Sequence, residues 1–439
     1  MVTRRQLMAL SAAGAAAVAA RHAIDQRSEF AALSVDDPWG AVRNAFDFAH
    51  EASPRIPMNA ANLAPALTVV RETVTGAARR LDVDESFEHR LLFLGTELAR
   101  VRDLLGAQLG VEGEDVALVR NTSEANSIVV HAHDLEPDDE VIIWNENHHT
   151  NNRNWGYRRE RTPFTLRVVK LPEAPQSAQE IVDAFVAMLT PKTRIVSFTH
   201  VSNISGLKLP AEILCRAIHA QRKDVFVHVD GAQTWGSLDV GLARMDCDSY
   251  SASAHKWLCG PRELGILYVR RSWAARMWPG TLGYDPSFDF PDEKLPENAQ
   301  RFACLGQRND ALIPGLSAAL EFHRAIGAVR IEQRVVELAM KLRQRLEAIG
   351  ARPIGSANAE RSHGVVVADL GAADAKRVFR SLYEHSGIYG AFIHGNRIVG
   401  SIDNLDASAE RLRLRLCPHI YNTEDDLDRA VAAVKLAMA

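Results

Sequence analysis

The stretch Ser251-Ala-Ser-Ala-His-Lys-Trp257 decides the fold. Its first residues are typical of a strand, Lys256 follows them, and Gly260-Pro261 makes a turn before a second predicted strand at Leu264–Val269. Burial between two strands lowers the pKa of a lysine amine, and the neutral amine attacks carbonyl carbons to form a Schiff base. Lys256 therefore has the setting of a catalytic lysine, although taken alone it also fits the tip of a surface loop.

Short apolar runs alternate with helical segments through the middle of the chain. Besides the strand at Leu264–Val269, these runs are Val116–Val119, Glu140–Trp144, Arg194–Phe198 and Val225–Val229. Because strands buried on both faces are apolar throughout, the alternation predicts an α/β fold with a mostly parallel sheet flanked by helices. Ligands of such sheets bind beyond the carboxyl ends of the strands.

Regular patterns also mark the segments outside this alternation. Apolar residues recur at helical spacing from Glu88 to Leu109 and from Ile331 to Leu346. Arg411-Leu-Arg-Leu-Arg-Leu416 alternates strictly, which predicts a half-buried strand with its leucines inward and its arginines on the opposite face. After the first 22 residues, we expect three parts: an N-terminal arm at 23–58, a large domain at 59–315 and a smaller α+β C-terminal domain at 316–439.

The first residues have the features of an export signal. Thr3-Arg-Arg-Gln-Leu-Met8 precedes a run of small and weakly apolar residues from Ala9 to Ala20, and paired arginines are typical of the twin-arginine class. We therefore predict a signal peptide at 1–22 and a periplasmic or secreted protein. The alternative is an alanine-rich helix at the N-terminus of a cytoplasmic protein.

The composition excludes several classes of protein. The 439 residues carry a net charge of -4 and show no basic surplus, which argues against a nucleic-acid-binding protein. No apolar run is long enough to span a bilayer, so no membrane insertion is expected after signal removal. The five cysteines form no CxxC pair and no zinc-type spacing, so we expect no metal site and no disulfide framework.

Polar residues follow several of the predicted strands and fit one ligand. The start of a helix at Arg120–Asn126 offers hydroxyls and backbone N–H groups to a phosphate, and the imidazole of His148 offers a flat surface to a ring. The carboxylate of Asp230 suits a protonated ring nitrogen, and the amides of Asn203 and Gln233 suit a ring hydroxyl. Each residue alone also fits a cap or a turn.

Together with Lys256, these residues predict a phosphorylated pyridine aldehyde bound as an imine. Asp230 would stabilise the protonated ring, which takes up the electron pair left at the α-carbon of a substrate. Lys256, once released by the substrate amine, would then act as a general base at that carbon.

The chain resembles the class V aminotransferase family of pyridoxal 5'-phosphate (PLP) enzymes, fold type I, from about residue 35 to about residue 435. The resemblance rests on His228-Val-Asp-Gly-Ala-Gln233, Ser253-Ala-His-Lys-Trp-Leu-Cys-Gly-Pro261 and Gly265-Ile-Leu-Tyr268. It implies a homodimer with the active site at the interface. It assigns Lys256 to the Schiff base, Asp230 to the pyridine nitrogen, Gln233 and Asn203 to the ring hydroxyl, His148 to ring stacking, Thr122, Ser123, Ser253 and His255 to the phosphate, and Arg415 to the substrate carboxylate.

The chain also departs from the family pattern. Gln307 stands where many relatives carry a threonine that reaches the cofactor phosphate of the partner subunit. No cysteine lies between Cys304 and Cys417, where the desulfurase branch carries its nucleophile, so persulfide chemistry is not expected. Asn147-His-His149 is similar to the desulfurase and selenocysteine lyase branch, whereas the ending at Pro418–Thr423 is similar to the isopenicillin N epimerase branch.

Three functions follow from this resemblance. The first is an aminotransferase-like or epimerase-like enzyme that acts at the α-carbon of an amino acid or an amino-bearing side chain. The second is a C–S lyase or β-eliminase, and the third is a non-catalytic PLP-fold binding protein. We expect the loops at 279–300 and 386–405 to determine the substrate.

Overall fold

A computed structural model describes residues 30–53, 55–283, 294–303, 306–394, 397–399 and 413–439. The predicted signal peptide, Cys304, and parts of the arm and of both predicted specificity loops lie outside the described residues. The strands are β1 (Ile56–Pro57), β2 (Val116–Val119), β3 (Glu140–Trp144), β4 (Thr165–Val169), β5 (Thr193–Thr199), β6 (Phe226–Asp230), β7 (Ser249–Ser253), β8 (Gly265–Val269), β9 (Arg352–Pro353), β10 (Val366–Asp369), β11 (Ile388–Tyr389), β12 (Ala391–His394), β13 (Arg397–Val399) and β14 (Arg413–Leu416).

α-Helices account for a large part of the remaining described chain. They are α1 (Trp39–Asn44), α2 (Thr68–Val83), α3 (Phe87–Leu109), α4 (Thr122–His131), α5 (His149–Arg161), α6 (Ala178–Val186), α7 (Ala211–Gln221), α8 (Leu242–Met245), α9 (Arg271–Ala274), α10 (Leu312–Ile326), α11 (Ala328–Ala348), α12 (Ala375–Phe379) and α13 (Glu424–Met438). Among the described helices, none is both long enough and apolar enough to cross a membrane.

The large sheet has seven strands in the order β2-β8-β7-β6-β5-β3-β4. Strand β8 is antiparallel to both of its neighbours, and every other neighbouring pair is parallel. Alternate residues of β3 enter different apolar cores, with Ile142 and Trp144 in one and Val141 and Ile143 in the other. The sheet is therefore covered on both faces, which confirms the predicted mostly parallel sheet flanked by helices.

A second sheet of five antiparallel strands has the order β13-β12-β14-β10-β9. Helix α13 packs against α11 beside it, and Thr423 and Asp426 form a capping box at the start of α13. The N-terminal segment joins this part of the molecule, because β1 pairs with β11 in a separate parallel pair. The predicted domain boundary at residue 315 lies inside α10 and stays a prediction.

The prediction for the last strand is wrong in one respect. Leu414, Arg415 and Leu416 are all buried, so the arginine at the centre of β14 does not lie on a solvated face. Strand β14 lies between β10 and β12, and the Arg415 side chain contacts Asn203 and Asn59 from other parts of the chain. A two-residue period identifies opposite faces of a strand, but it does not show whether the second face is also covered.

Candidate active site

The carboxyl ends of the parallel strands bring the predicted site residues to one edge of the large sheet. Asp230 ends β6, and Lys256 follows β7, the strand that pairs with β6. His148 follows β3, and Asn203 follows β5, the strand paired with β3. The amine of Lys256 interacts electrostatically with Asp230, His148 and Arg415, so these four side chains lie near one another.

Lys256 is partly buried and has an unusual amine. Burial and the nearby guanidinium of Arg415 lower the pKa of this amine, and the carboxylate of Asp230 opposes the change. The resulting pKa is about 8. Near neutral pH, an appreciable fraction of the amine is therefore neutral and able to act as a nucleophile or a base.

Asp230 is fully buried, and both of its carboxylate oxygens accept hydrogen bonds. Oδ1 accepts from the backbone N–H of Ala232 at 2.9 Å, and Oδ2 accepts from Nδ2 of Asn126 at 2.8 Å. Burial raises the pKa of this carboxyl, while the two hydrogen bonds and the Lys256 cation oppose that rise. A cation placed against Asp230 therefore stabilises the charged form of the carboxyl.

The start of α4 is tied to the end of β7 by two hydroxyls. Asn121 caps the helix by accepting from the N–H of Glu124, and the N–H of Thr122 donates to Oγ of Ser253 at 2.7 Å. The two hydroxyls of Thr122 and Ser253 are 2.6 Å apart, and Ser123 beside them is exposed. Hydroxyls and N–H groups at a helix start suit a phosphate.

His148 caps the next helix and is neutral. Its Nδ1 accepts from the N–H of Thr150 at 3.4 Å and lies 2.7 Å from the Thr150 hydroxyl, so the ring proton lies on Nε2. Burial and the nearby Lys256 cation lower the pKa of His148 to about 3. A neutral ring of this kind is suited to lie against another flat ring.

Arg415 is fully buried, and no carboxylate of the described residues forms an ion pair with it. Its Nη1 donates to the backbone oxygen of Asn203 at 3.1 Å, and its Nη2 donates to Oδ1 of Asn59 at 3.0 Å. The Nε of Arg415 and the Nδ2 of Asn203 have no hydrogen-bond partner within the described part of the chain. Because unpaired buried donors are costly, this arrangement suits a bound anion or another acceptor.

The comparison with known proteins now decides the family. The family model for aminotransferase class-V matches residues 86–430, which is more than half of the chain. The chain belongs to the class-V aminotransferase family, and it is a PLP-dependent enzyme.

The relatives of this class-V enzyme have different reactions in their names. An isopenicillin N epimerase of Amycolatopsis lactamdurans is 30% identical over 393 residues, which cover 86% of this chain and 94% of the relative. A probable cysteine desulfurase of Xylella fastidiosa is 30% identical over 276 residues, covering 60% of this chain and 64% of the relative. The solved structure of a C-DES mutant with glycine covalently linked to its PLP cofactor matches with a TM-score of 0.78 at 20% identity, covering 90% of this chain and 98% of that one.

The residues of this class-V enzyme fit PLP. Asp230 is a buried carboxyl that a protonated ring nitrogen would hold in its charged form, and Lys256 is a lysine with a lowered pKa. The buried Nδ2 of Asn203 has no partner among the residues that the structure describes, which suits a ring oxygen, and Thr122 and Ser253 bring hydroxyls to a helix start. The individual contacts of these residues with the cofactor stay predictions.

The predicted residue Gln233, and Gln307 at the position that departs from the family pattern, both form hydrogen bonds within the protein. Gln233 donates from Nε2 to the backbone oxygen of Ala61 at 3.0 Å and accepts at Oε1 from Nε1 of Trp257 at 2.8 Å. Its predicted place at the ring hydroxyl thus depends on the second Nε2 hydrogen or the second Oε1 lone pair. Gln307 is exposed, and its Nε2 donates to the backbone oxygen of Arg308 at 3.2 Å.

Several residues that build the site of this class-V enzyme were not predicted from the sequence. Asn59 holds Arg415, and Asn126 holds Asp230. The N–H groups of Ala64 and Leu67 donate to the backbone oxygens of His255 and Cys259, so the segment before α2 lies against the Lys256 loop. The helical spacing could have indicated Asn126, because it lies four residues after Thr122 and therefore on the same face of α4. No pattern of residues indicates Asn59.

Proposed function

We propose that this enzyme breaks the Cα–H bond of an amino acid or of an amino-bearing side chain, as epimerases and aminotransferases do. The proposal rests on one observation: Arg415, a buried guanidinium with no carboxylate partner among the described residues, lies near the amine of Lys256, whose pKa is about 8. A guanidinium binds a carboxylate in a fixed orientation, and a neutral amine removes a proton beside it.

Each side chain then has a separate task. Arg415 binds the substrate carboxylate, with its own position held by Asn59 and Asn203. Lys256 accepts the α-proton and returns it, and Asp230 holds a proton at the ring nitrogen of the cofactor. Bound PLP supplies a protonated ring that takes up the electron pair released at the α-carbon.

The cysteines favour this reaction over sulfur transfer to the protein. A cysteine accepts sulfur as its thiolate, which needs an exposed thiol and a lowered pKa. The four described cysteines are Cys215, Cys247, Cys259 and Cys417; all are buried, and burial raises the pKa of each thiol. A C–S lyase that needs no protein thiol is the second candidate, and the desulfurases among the relatives support it.

The test supplies the purified holoenzyme with a panel of amino acids in D2O. We expect deuterium at the α-carbon of at least one of them by mass spectrometry, together with inverted chirality for an epimerase or a keto acid for an aminotransferase. Lys256→Ala is the matched control and should abolish the exchange. Sulfide release from a sulfur amino acid, without inversion or keto acid, would instead identify the lyase. Absence of every product across the panel would favour a binding protein.

We also propose a homodimer with the active site near the interface. Phe87, Leu91 and Leu92 are large apolar side chains exposed on α3, and exposed apolar patches of this kind are typical of interfaces. Light scattering of the purified protein measures the mass directly. A dimer that becomes a monomer in Leu91→Glu and Leu92→Glu supports the proposal, and a wild-type monomer contradicts it.

Export through the twin-arginine route is a further part of the proposal. The paired arginines Arg4 and Arg5 and the small-residue run after them support it. Cell fractionation should find the wild-type protein outside the cytoplasm and the double substitution of both arginines by lysine inside it. Equal cytoplasmic retention of both proteins would contradict export.

A further inference from the structure

A cluster of buried polar side chains connects to Asp230 through Asn126. Its other members are His228 on β6 and Ser249 and Ser251 on β7. We infer that Asn126 is a positioning residue, which acts through Asp230 to keep the ring nitrogen of the cofactor protonated. This inference rests on the proposed pairing of Asp230 with that nitrogen.

The amide of Asn126 can adopt only one orientation. Its Nδ2 donates to Oδ2 of Asp230 at 2.8 Å, while its Oδ1 accepts from the hydroxyl of Ser251 at 2.6 Å and lies 2.9 Å from Nε2 of His228. A flipped amide would bring its oxygen against the carboxylate oxygen of Asp230, so the flipped form is excluded by electrostatic repulsion.

The donor and acceptor roles of these groups determine where the protons of the cluster lie. Burial lowers the pKa of His228 to about 3, so the ring is neutral and carries one N–H. Because Oδ1 of Asn126 can only accept, this proton lies on Nε2 of His228. Nδ1 of His228 is then an acceptor, and it receives the hydroxyl proton of Ser249 at 2.6 Å. In every hydrogen bond of the cluster, the donor is therefore the group farther from Asp230, and the last donor, Asn126, donates to Asp230 itself.

This direction of donation favours the ionised form of the Asp230 carboxyl. Hydrogen bonds donated to both oxygens of Asp230 stabilise its ionised form, and burial alone would favour the protonated form. The two bonds also prevent rotation of the carboxylate about its last torsion. With Asn126 removed, Asp230 would hold the shared proton more tightly and the ring nitrogen would lose it.

The ionisable groups that interact with Asp230 are the buried phenol of Tyr250 on β7, whose pKa is raised by burial, and the amine of Lys256 on the loop after β7. The Lys256 cation favours ionised Asp230, as Asn126 does, but it lies among the reacting groups. Asn126, His228 and Ser251 are buried within the protein, so their effect does not depend on substrate. A substitution of Asn126 therefore tests the positioning of Asp230 without removing a group that takes part in the reaction.

The experiment measures the ring nitrogen itself. Holoenzyme is prepared with 15N-labelled PLP, and the 15N chemical shift of the pyridine nitrogen is recorded by NMR for wild type, Asn126→Leu and Asp230→Ala. We expect a protonated nitrogen in wild type, and in Asn126→Leu a shift that moves most of the way to the unprotonated value of Asp230→Ala. Cα exchange in D2O should fall about 10- to 100-fold with KM nearly unchanged, the effect of losing one hydrogen bond to a charged group.

Further variants keep the test decisive. Ser127→Ala removes a hydroxyl on the same helix that bonds Asn154 at 2.8 Å and is outside the cluster, so its 15N shift should equal that of wild type. If Asn126→Leu does not fold, Asn126→Ala and Ser251→Ala replace it, with a smaller shift in the same direction.

A ring nitrogen that stays protonated in the Asn126 and Ser251 variants, while Asp230→Ala changes it, overturns the inference. An enzyme with the expected shifts but no Cα exchange on any amino acid would instead overturn the proposed function.

Discussion

The two sides of the active site differ in how completely their polar atoms are paired. On the side of Asp230, both carboxylate oxygens and both amide atoms of Asn126 have protein partners. On the side of Arg415, the Nε of this arginine and the Nδ2 of Asn203 have none within the described residues. Both sides are buried, so solvent does not explain the difference. The contrast indicates that the Asp230 side is complete in the free protein, whereas the Arg415 side is completed by a bound ligand.

Unpaired buried donors make the Arg415 side costly for the free protein. Each unsatisfied donor costs about 1–3 kcal/mol, and a buried charge without a counterion costs more. A substrate carboxylate would remove this cost on binding, whereas the protein hydrogen bonds of Asp230 are already made before substrate binds. Substitutions on the two sides should therefore have opposite effects on stability, and four predictions follow this contrast from the largest effect to the smallest.

The largest effect is expected at Lys256, which interacts with both sides. Lys256→Ala removes the base, and general-base catalysis is worth about 10²- to 10⁴-fold in rate. Cα deuterium exchange measures the loss. Borohydride reduction followed by mass spectrometry should add the mass of PLP to the peptide holding Lys256 in wild type and not in the variant. Exchange at the wild-type rate in Lys256→Ala would contradict the assignment.

Arg415→Met should separate binding from stability. Loss of the guanidinium should lower kcat/KM by about 30- to 1000-fold, because a buried charge pair is broken in the complex. The same substitution should leave the free energy of unfolding unchanged or raise it by up to about 4 kcal/mol, since it removes an unpaired buried cation. Urea unfolding measures this change. Arg413→Met on the same strand is the control and should change neither quantity appreciably, and a strong destabilisation by Arg415→Met would refute the contrast.

The pKa of Lys256 predicts a pH dependence for the apoprotein. The neutral amine is the reactive form, so its rate of covalent PLP uptake should rise about tenfold per pH unit below pH 8 and level off above it. Absorbance after rapid mixing measures this rate. Because the Asp230 carboxylate raises the Lys256 pKa, Asp230→Asn should move the profile to lower pH. A profile that keeps rising to pH 10 would show an ordinary lysine.

Ser251→Ala should have the smallest effect and should sharpen the comparison. It removes one of the two donors to Oδ1 of Asn126, so the free energy of unfolding should fall by about 1 kcal/mol. Urea unfolding of this variant beside Arg415→Met gives the predicted opposite signs. An increase in the free energy of unfolding of Ser251→Ala would mean that the hydrogen bond from Ser251 to Asn126 does not stabilise the protein.

Much of the large sheet was predictable because buried parallel strands are apolar. Strands β2, β3, β5, β6 and β8 were found within two residues of their observed bounds. Strand β4 was not found, because it lies at the sheet edge and most of its side chains are at least partly exposed. The rule that ligands bind beyond strand ends was sufficient to predict that Lys256, Asp230, His148 and Asn203 lie at one edge of the sheet, and their roles stay predictions.

The pairing of these residues could not be predicted in the same way. The serines of β7 are polar and yet fully buried, because their hydroxyls bond to residues distant in sequence: Ser249 to His228, Ser251 to Asn126 and Ser253 to Thr122. Arg415 is buried for a similar reason, since its partners come from two other segments. Periodicity reports one strand or helix at a time, and these contacts join separate elements.

The hydrogen bond between Asn59 and Arg415 joins residues that are 356 positions apart. At about 5–20 residues per second, the ribosome completes the second partner about 20–70 seconds after the first. The guanidinium that is expected to receive substrate is synthesised after the whole large sheet. With the roles proposed above, the ribosome therefore synthesises Asp230 and Lys256 well before Arg415, and selectivity for the substrate carboxylate is acquired last.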